Sequence, residues 1–510
     1  MKKKYYIIAL LATTALSFSS CSEDFFDANP GDRVTEGQLE ENPNPNALVN
    51  GMNAFMIQFN SLERENGEER HNDFGYMATA LSMELWGDDM VQYTSNYGWY
   101  YDDYQYSNRG YEFLEAARHW NYFYKLIRTA NDVLTGIVSD TEDPEMLAAR
   151  GQAYAMRAFA HHVLVQLYQH TYKGHEDAPG IPIVTEDMTS EQLNNNPRKK
   201  VSEVYAQIEN DLKQACELLK GWERPSSVYI NYAVAKGFEA RVHLCKEEWK
   251  EAAEAAEEAV AGFPVMDKAG LKEGFVSMDN NPSWMWSSDV TSQSSIAIGG
   301  ITNFTSHVSS TAYGYATAGE MYKNISTELF NKIPDTDARK DWWCKSDSLV
   351  FVVGAGMVKL PKYANLKFGY YDTEGNNFND LCYMRAEEMQ LIAAEGYAMS
   401  GNLPQAKSIL EDFVQTRQPD YKCTANSVAE MQNEVWVQRR IELWGEGFAW
   451  FDLKRLKKPI IRKYEGTNHN DDAMFDFPAE DPIFNLRIPR TEIQNNGGIS
   501  ETDNNPMPNV

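Results

Sequence analysis

The chain has few cysteines, and they are not paired at metal-binding spacing. Only six occur among 510 residues, and no C-x-x-C pair is present. This excludes both a disulfide framework and a zinc-finger type of fold. After Cys21, which is considered below, we expect most of the remaining ones to be buried free thiols; they are Cys216, Cys245, Cys344, Cys382 and Cys423.

Positive charge is also scarce. Lysine and arginine number 47 against 74 acidic residues, which gives a formal net charge of −27. An acidic surface repels the phosphate backbone, so no nucleic-acid partner is expected.

Motifs of catalysis are absent. The chain has no H-E-x-x-H, no P-loop, no G-x-G-x-x-G after a strand and no G-x-S-x-G. We therefore expect no enzyme activity and no cofactor. A D-x-D-x-D-G loop is missing as well, although a structural Ca²⁺ elsewhere stays open. Asp88 and Asp89 are the nearest thing to a catalytic carboxylate pair, and a solvated loop explains them equally well.

Only one long hydrophobic run exists, and it lies at the amino terminus. Residues 5–16 follow three lysines and precede Ser19, Ser20 and Cys21. This pattern predicts a signal peptide over residues 1–20 that is too short to span a membrane. Cys21 is then the predicted lipidation site, with a Pro- and Asn-rich tether over 21–50. The alternative is an ordinary signal peptide with a chance cysteine.

Small residues recur at the spacing of a tetratricopeptide-type helix pair in two places. Ala240 and Ala252 fit within residues 231–264, and Ala394 and Ala406 fit within 387–419 with a turn at Gly401. We predict a mainly α fold of such helix pairs over residues 51–510. The stretch of about 265–380 is rich in Gly, Asn, Ser and aromatics, and is predicted to be an irregular, functional insertion.

Two segments combine aromatic and amide side chains as glycan-binding sites do, because sugar rings stack on aromatic rings and hydroxyls need fixed polar partners. Aromatic residues between 97 and 106 follow neither a helical nor a strand period, which suggests exposure rather than core packing. The alternative is ordinary packing beneath a loop. The candidate ligand-binding residues are Asn96, Tyr97, Trp99, Tyr101 and Tyr104, with Tyr313 and Tyr315 in the insertion.

Several blocks, in order along the chain, resemble the SusD/RagB nutrient-binding lipoproteins of Bacteroidetes outer membranes. They are Cys21 with the acidic residues after it, Arg157-Ala158-Phe159, Pro179-Gly180-Ile181-Pro182, Val201-Ser202-Glu203-Val204-Tyr205, Asp337-Ala338-Arg339, Met384-Arg385-Ala386-Glu387-Glu388, Arg439-Arg440-Ile441-Glu442-Leu443, Trp450-Phe451-Asp452-Leu453 and Ile488-Pro489.

The resemblance implies a helical fold with four tetratricopeptide-like units and an irregular ligand-binding half. It also implies a lipid-anchored protein on the outer face of the outer membrane. Such a protein binds oligosaccharides or other nutrients without chemistry and forms a lid over a SusC-like TonB-dependent transporter. Ligand-binding aromatics in the family often lie in the loop after the early helices, where residues 96–104 fall.

Charged residues within the helical blocks are expected to form structural ion pairs rather than a catalytic site. These are Arg157, Arg385, Glu395, Arg440 and Glu442. Two alternatives to glycan capture stay open: a tetratricopeptide scaffold for protein or peptide partners, and a lipid-tethered glycan hydrolase.

Overall fold

A computed structural model describes residues 45–59, 72–96, 98–298, 302–352, 355–369 and 378–509. Cys21, the signal peptide and most of the predicted tether lie outside these residues. A helix occupies Pro45–Phe55. The predicted tether boundary at residue 50 is therefore wrong, because residues 45–50 are already helical.

The fold is mainly α, as predicted. The amino-terminal helices are α1 Pro45–Phe55, α2 Tyr76–Trp86, α3 Tyr101–Tyr104, α4 Leu114–Gly136, α5 Pro144–Tyr168, α6 Ser190–Asn194, α7 Val201–Leu219, α8 Tyr232–Lys246 and α9 Trp249–Val260. The insertion holds short helices: α10 Ser295–Ile298, α11 Thr305–Val308, α12 Tyr315–Ala318 and α13 Thr327–Lys332. The carboxy-terminal helices are α14 Ala386–Met399, α15 Leu403–Gln415, α16 Val428–Glu442, α17 Ala449–Arg455 and α18 Arg490–Asn495.

The described strands form antiparallel pairs rather than one large sheet. They are β1 Met90–Gln92 with β3 Lys323–Ile325, β2 Trp284–Ser288 with β6 Leu381–Arg385, β4 Ser348–Val352 with β5 Gly356–Leu360, and β7 Ile460–Ile461 with β8 Asp476–Phe477. Short 3-10 helices occupy Gly270–Lys272, Ala338–Trp342, Asp471–Ala473, Pro482–Phe484 and Glu501–Asp503.

Both predicted helix pairs are present, as α8–α9 and α14–α15. Gly401 adopts a left-handed φ of +93° in the turn between α14 and α15, which explains why glycine stands there. A Cβ on Gly396 would lie 2.5 Å from the carbonyl oxygen of Trp249, so α14 can cross α9 closely only with glycine at that position. The small residues thus set how closely the helix pairs stack.

Buried ion pairs join the helical scaffold to the insertion, as the charge pattern predicts. Arg157 of α5 makes two hydrogen bonds of 2.8 Å to Asp211 of α7. Glu442 accepts hydrogen bonds from Arg385, Arg417 and Arg339, at 2.8, 3.0 and 3.2 Å. Burial opposes ionisation there, but the three guanidinium groups hold the pKa of Glu442 well below its usual range.

The five cysteines after Cys21 are free thiols, and most of them are buried, as expected. Within the described ranges, none of the helices has the length and apolar character needed to cross a bilayer.

Candidate functional site

The pairing of β1 with β3 brings the two predicted ligand-binding segments together. Gln92 lies opposite Lys323, so the chain leaves β1 beside the chain that enters β3. Just beyond β1, Asn96 donates from Nδ2 to the carbonyl oxygen of Gly319 at 2.9 Å, and Thr94 donates to the same oxygen at 3.1 Å. Segments more than 200 residues apart therefore share one surface.

The segment after Asn96 is tightly bent. Tyr100, Tyr106 and Asn108 all adopt left-handed backbone conformations, with φ values of 61°, 56° and 57°. Such conformations are unfavourable for residues other than glycine and persist only where surrounding contacts impose them.

Two buried charged side chains impose this shape. Arg462 donates to the backbone oxygens of Tyr104 and Gly87, both within 2.7 Å, and to the hydroxyl of Tyr106. Asp103 accepts hydrogen bonds from Ser82, Trp86 and Arg118. The bent segment is therefore a rigid support, fixed from below by the helical core.

The bend turns several aromatic rings inward, which corrects part of the sequence analysis. Tyr101 and Tyr104 are only 6% and 0% exposed. The Tyr101 hydroxyl donates to Asp472 at 2.7 Å, and the Tyr104 hydroxyl lies 2.8 Å from Nδ1 of His469. The expectation that these two rings are exposed is wrong, since both pack beneath the loop, and their contact with a ligand stays a prediction.

The remaining predicted residues that the structure describes are more accessible to a ligand. Asn96 is exposed and Trp99 is half-buried, with its backbone oxygen bound by Nε2 of Gln92 at 3.2 Å. Tyr313 and Tyr315 are half-buried, and Tyr315 begins the short helix α12 that ends beside Gly319. Tyr97 lies outside the described residues. Whether these residues bind a ligand stays a prediction.

Tyr93 is an exposed aromatic residue beside this surface that was not among the predicted ligand-binding residues. It is 42% exposed, and its ring centroid lies 6.3 Å from that of Tyr322. Its amide donates to the carbonyl oxygen of Tyr322 at 2.9 Å, which continues the β1–β3 ladder. Tyr93 lies only three residues before Asn96 in the sequence, and this proximity could have identified it as a further candidate.

The carboxylate pair Asp88–Asp89 is not arranged as a glycosidase pair. Asp89 receives two hydrogen bonds from Arg440, at 2.8 and 2.6 Å, and Arg440 also binds Glu328. Burial, followed by the charge of Asp89, raises the pKa of Asp88 to about 6. A nucleophile or general base must reach the substrate, whereas both oxygens of Asp89 are bound by the Arg440 guanidinium group. Asp89 therefore has a structural role.

Among the described residues, Glu209, His243 and Glu248 form a group whose potential metal-ligating atoms lie within 4.8 Å of one another. The ammonium group of Lys246 binds both carboxylates, at 2.7 Å for Glu248. Lys246 therefore supplies the positive charge that a metal ion would otherwise bring.

Two family models match the chain. One, described as starch-binding and associating with the outer membrane, matches residues 49–244, and the other, the SusD family, matches residues 353–506. Together they span more than half of the sequence.

Individual relatives are consistent with these matches. SusD-like protein P2 of Formosa agariphila is 24% identical over 401 residues, covering 67% of this chain and 72% of the relative. A SusD-like carbohydrate binding protein from Bacteroides vulgatus has a similar structure, with a TM-score of 0.75, 24% identity and coverage of 94% of this chain and 99% of that chain. A laminarin binding SusD-like protein matches with a TM-score of 0.63 and 18% identity, over 91% of this chain and 98% of its own.

The helix pairs, the irregular insertion packed on them and the two family models lead to the same conclusion. The chain belongs to the SusD/RagB family.

Proposed function

We propose that this protein captures oligosaccharide or polysaccharide on the surface formed by Asn96, Trp99, Tyr313 and Tyr315, with Tyr93 at its edge. The observation that carries the proposal is the hydrogen bond from Asn96 to Gly319, which holds the two aromatic segments against each other. Aromatic faces beside exposed amides suit sugar rings. The similarity to carbohydrate-binding and laminarin-binding relatives supports this class of ligand.

Rigidity of the support favours binding. Arg462 and Asp103 fix the bent segment before any ligand arrives, so little conformational entropy is lost on binding. Stacking and amide hydrogen bonds need neither a cofactor nor a chemical step. Binding without hydrolysis is therefore the activity we propose.

We further propose that Cys21 carries lipid, that the protein is anchored in the outer membrane facing outward, and that it passes its ligand to a SusC-like TonB-dependent transporter. The signal sequence before Cys21 supports the anchor. The matching family description, which mentions association with the outer membrane, supports the location.

Affinity electrophoresis of the lipid-free mature protein through gels containing different polysaccharides tests the proposal. We expect one glycan to retard the protein and Trp99→Ala to abolish the retardation. Trp222→Ala is the matched control, since it removes a half-buried tryptophan after α7, where Nε1 donates to Glu145. Retardation lost equally in both variants, or release of shorter sugars during incubation, would contradict the proposal.

A further inference from the structure

A short segment near the carboxy terminus, residues 468–470, packs against the residues that support the proposed glycan surface. Each of its three side chains makes hydrogen bonds to residues between 141 and 381 positions away in the sequence. Asn468 contacts β3, His469 contacts Tyr104 and Asn470 contacts β1. The segment therefore connects both strands with the bent segment after Asn96.

Asn470 binds the end of β1 that leads into the glycan surface. Its Nδ2 donates to the backbone oxygen of Gln92 at 2.9 Å and to the hydroxyl of Tyr101 at 3.0 Å. An amide nitrogen carries two N–H donors, which matches these two acceptors. Because Gln92 ends β1 and Tyr101 begins α3, one side chain ties the strand to the bent segment.

Gln92 extends this connection to the predicted stacking residue, Trp99. The Gln92 side chain is fully buried, and its Nε2 donates to the backbone oxygens of Thr94 and Trp99 at 3.3 and 3.2 Å. Asn470 therefore holds the backbone of a residue whose side chain holds Trp99. A single residue, Gln92, separates Asn470 from the stacking ring.

Asn468 makes a comparable pair of hydrogen bonds at the opposite end of the same strand pair. It donates to the backbone oxygen of Ile325 at 3.0 Å and accepts from the amide of Thr327 at 2.9 Å. Ile325 pairs with Met90, at the end of the β1–β3 ladder away from Asn96. Asn468 and Asn470 are both half-buried, so they differ mainly in the end of the ladder that they hold.

We propose that Asn470 is a positioning residue for ligand binding, which holds Gln92 and Tyr101 so that Trp99 is placed to stack on a sugar ring. This inference rests on the proposed function, because it concerns the same surface. Both partners of Asn470 are buried, so its effect on the ligand passes through them. A support that is fixed before binding reduces the conformational entropy lost when the ligand binds.

Two measurements on the lipid-free mature protein test this role, with Asn470→Ala compared with the matched control Asn468→Ala. The first is affinity electrophoresis through gels of laminarin, starch, xylan and pectin. We expect Asn470→Ala to weaken retardation by the glycan that binds the wild type about fivefold or more, and Asn468→Ala to weaken it no more than about twofold. Urea unfolding should show similar losses of stability in the two variants, since each loses two hydrogen bonds.

The second measurement is amide hydrogen exchange of residues 93–100 without ligand. Asn470→Ala should accelerate this exchange by about threefold or more, and Asn468→Ala should leave it near the wild-type rate. Gln92→Met removes the link to Trp99 while keeping Asn470, so it should reproduce the loss of retardation. This second variant keeps the inference testable if Asn470→Ala does not fold.

The outcomes separate this inference from the proposed function. Retardation weakened equally in both asparagine variants, or unchanged in Asn470→Ala, would overturn the positioning role and leave glycan binding intact. Weakened retardation with unchanged exchange would also overturn it, since Asn470 would then act on the ligand directly. A wild type that no glycan retards would overturn the proposed function and this inference with it.

Discussion

Asn96 donates a hydrogen bond of 2.9 Å to the backbone of Gly319, across 223 positions of sequence. This contact joins the segment after β1 to the segment before β3. The proposed glycan surface depends on this link between the two segments.

Replacing Asn96 should affect binding more than stability. Asn96→Ala removes a partly buried hydrogen bond of an exposed residue, so we expect the free energy of unfolding to fall by no more than about 1 kcal/mol. Affinity for the retained glycan should fall by about 1 kcal/mol or more, because a polar partner of the sugar and the link to Gly319 are both lost. Calorimetry with the glycan and urea unfolding measure the two effects. An unchanged affinity would remove Asn96 from the site.

Tyr104 should show the opposite behaviour, since its ring is buried. Tyr104→Ala should destabilise the protein by about 3–5 kcal/mol, as truncation of a large aromatic core residue does. Tyr104→Phe should cost about 1 kcal/mol through loss of the hydrogen bond to His469. Urea unfolding provides the measurement. Normal stability of Tyr104→Ala with lost glycan binding would restore the ligand role that the sequence suggested.

Glu442 should be essential to the fold. Glu442→Gln leaves three buried arginines short of a counter-charge, and we expect a loss of about 3–5 kcal/mol at neutral pH. Glu465→Gln, at an exposed carboxylate, is the control.

The difference in the free energy of unfolding between the wild type and Glu442→Gln should depend on pH, and its direction follows from the pKa of Glu442. The folded-state pKa of Glu442 lies well below the ordinary value of 4.5. Its stabilisation is therefore complete above pH 4.5 and is lost as the pH falls toward the folded-state pKa. The gap between wild type and Glu442→Gln should be constant above that pH and should narrow below it. A gap that widens in acid would contradict this account.

Lys323 should destabilise the protein at neutral pH. It is 2% exposed, its ammonium group donates to the backbone oxygen of Met321, and burial lowers its pKa from 10.5 to about 7. Because the folded state disfavours the charged form, stability should rise as the pH increases from about 7 to 10.5.

Lys323→Met should therefore raise the free energy of unfolding by about 1–4 kcal/mol near pH 7, with the gain vanishing toward pH 10.5. Lys250→Met, at an exposed lysine, serves as the control. Thermal or urea unfolding across this pH range measures the free energy of unfolding of both proteins. If Lys323→Met were less stable than the wild type at pH 7, the prediction would be wrong.

The sequence predicted the helical half well, because its signals are local. The spacing of Ala240 and Ala252, and the turn at Gly401, follow from helix geometry within about 34 residues. The same reasoning indicated that Arg157 would be paired, but it could not identify Asp211, which lies 54 positions away.

The candidate site was predicted only in part. Lack of periodicity suggested that Tyr101 and Tyr104 were exposed. Their burial depends on Asp472 and His469, which lie more than 360 positions away and are brought in by the fold. Left-handed residues such as Tyr100 also reverse the direction of side chains in a way that a sequence period does not reveal.

A crystal structure of the protein with an oligosaccharide of the glycan that retards it in gels would test the central claim most directly. The account predicts a sugar ring stacked on Trp99, with a hydroxyl within hydrogen-bond distance of the Asn96 amide and contacts to Tyr315. A sugar bound only on the helix pairs α8–α9 or α14–α15, with Trp99 and Asn96 untouched, would contradict it.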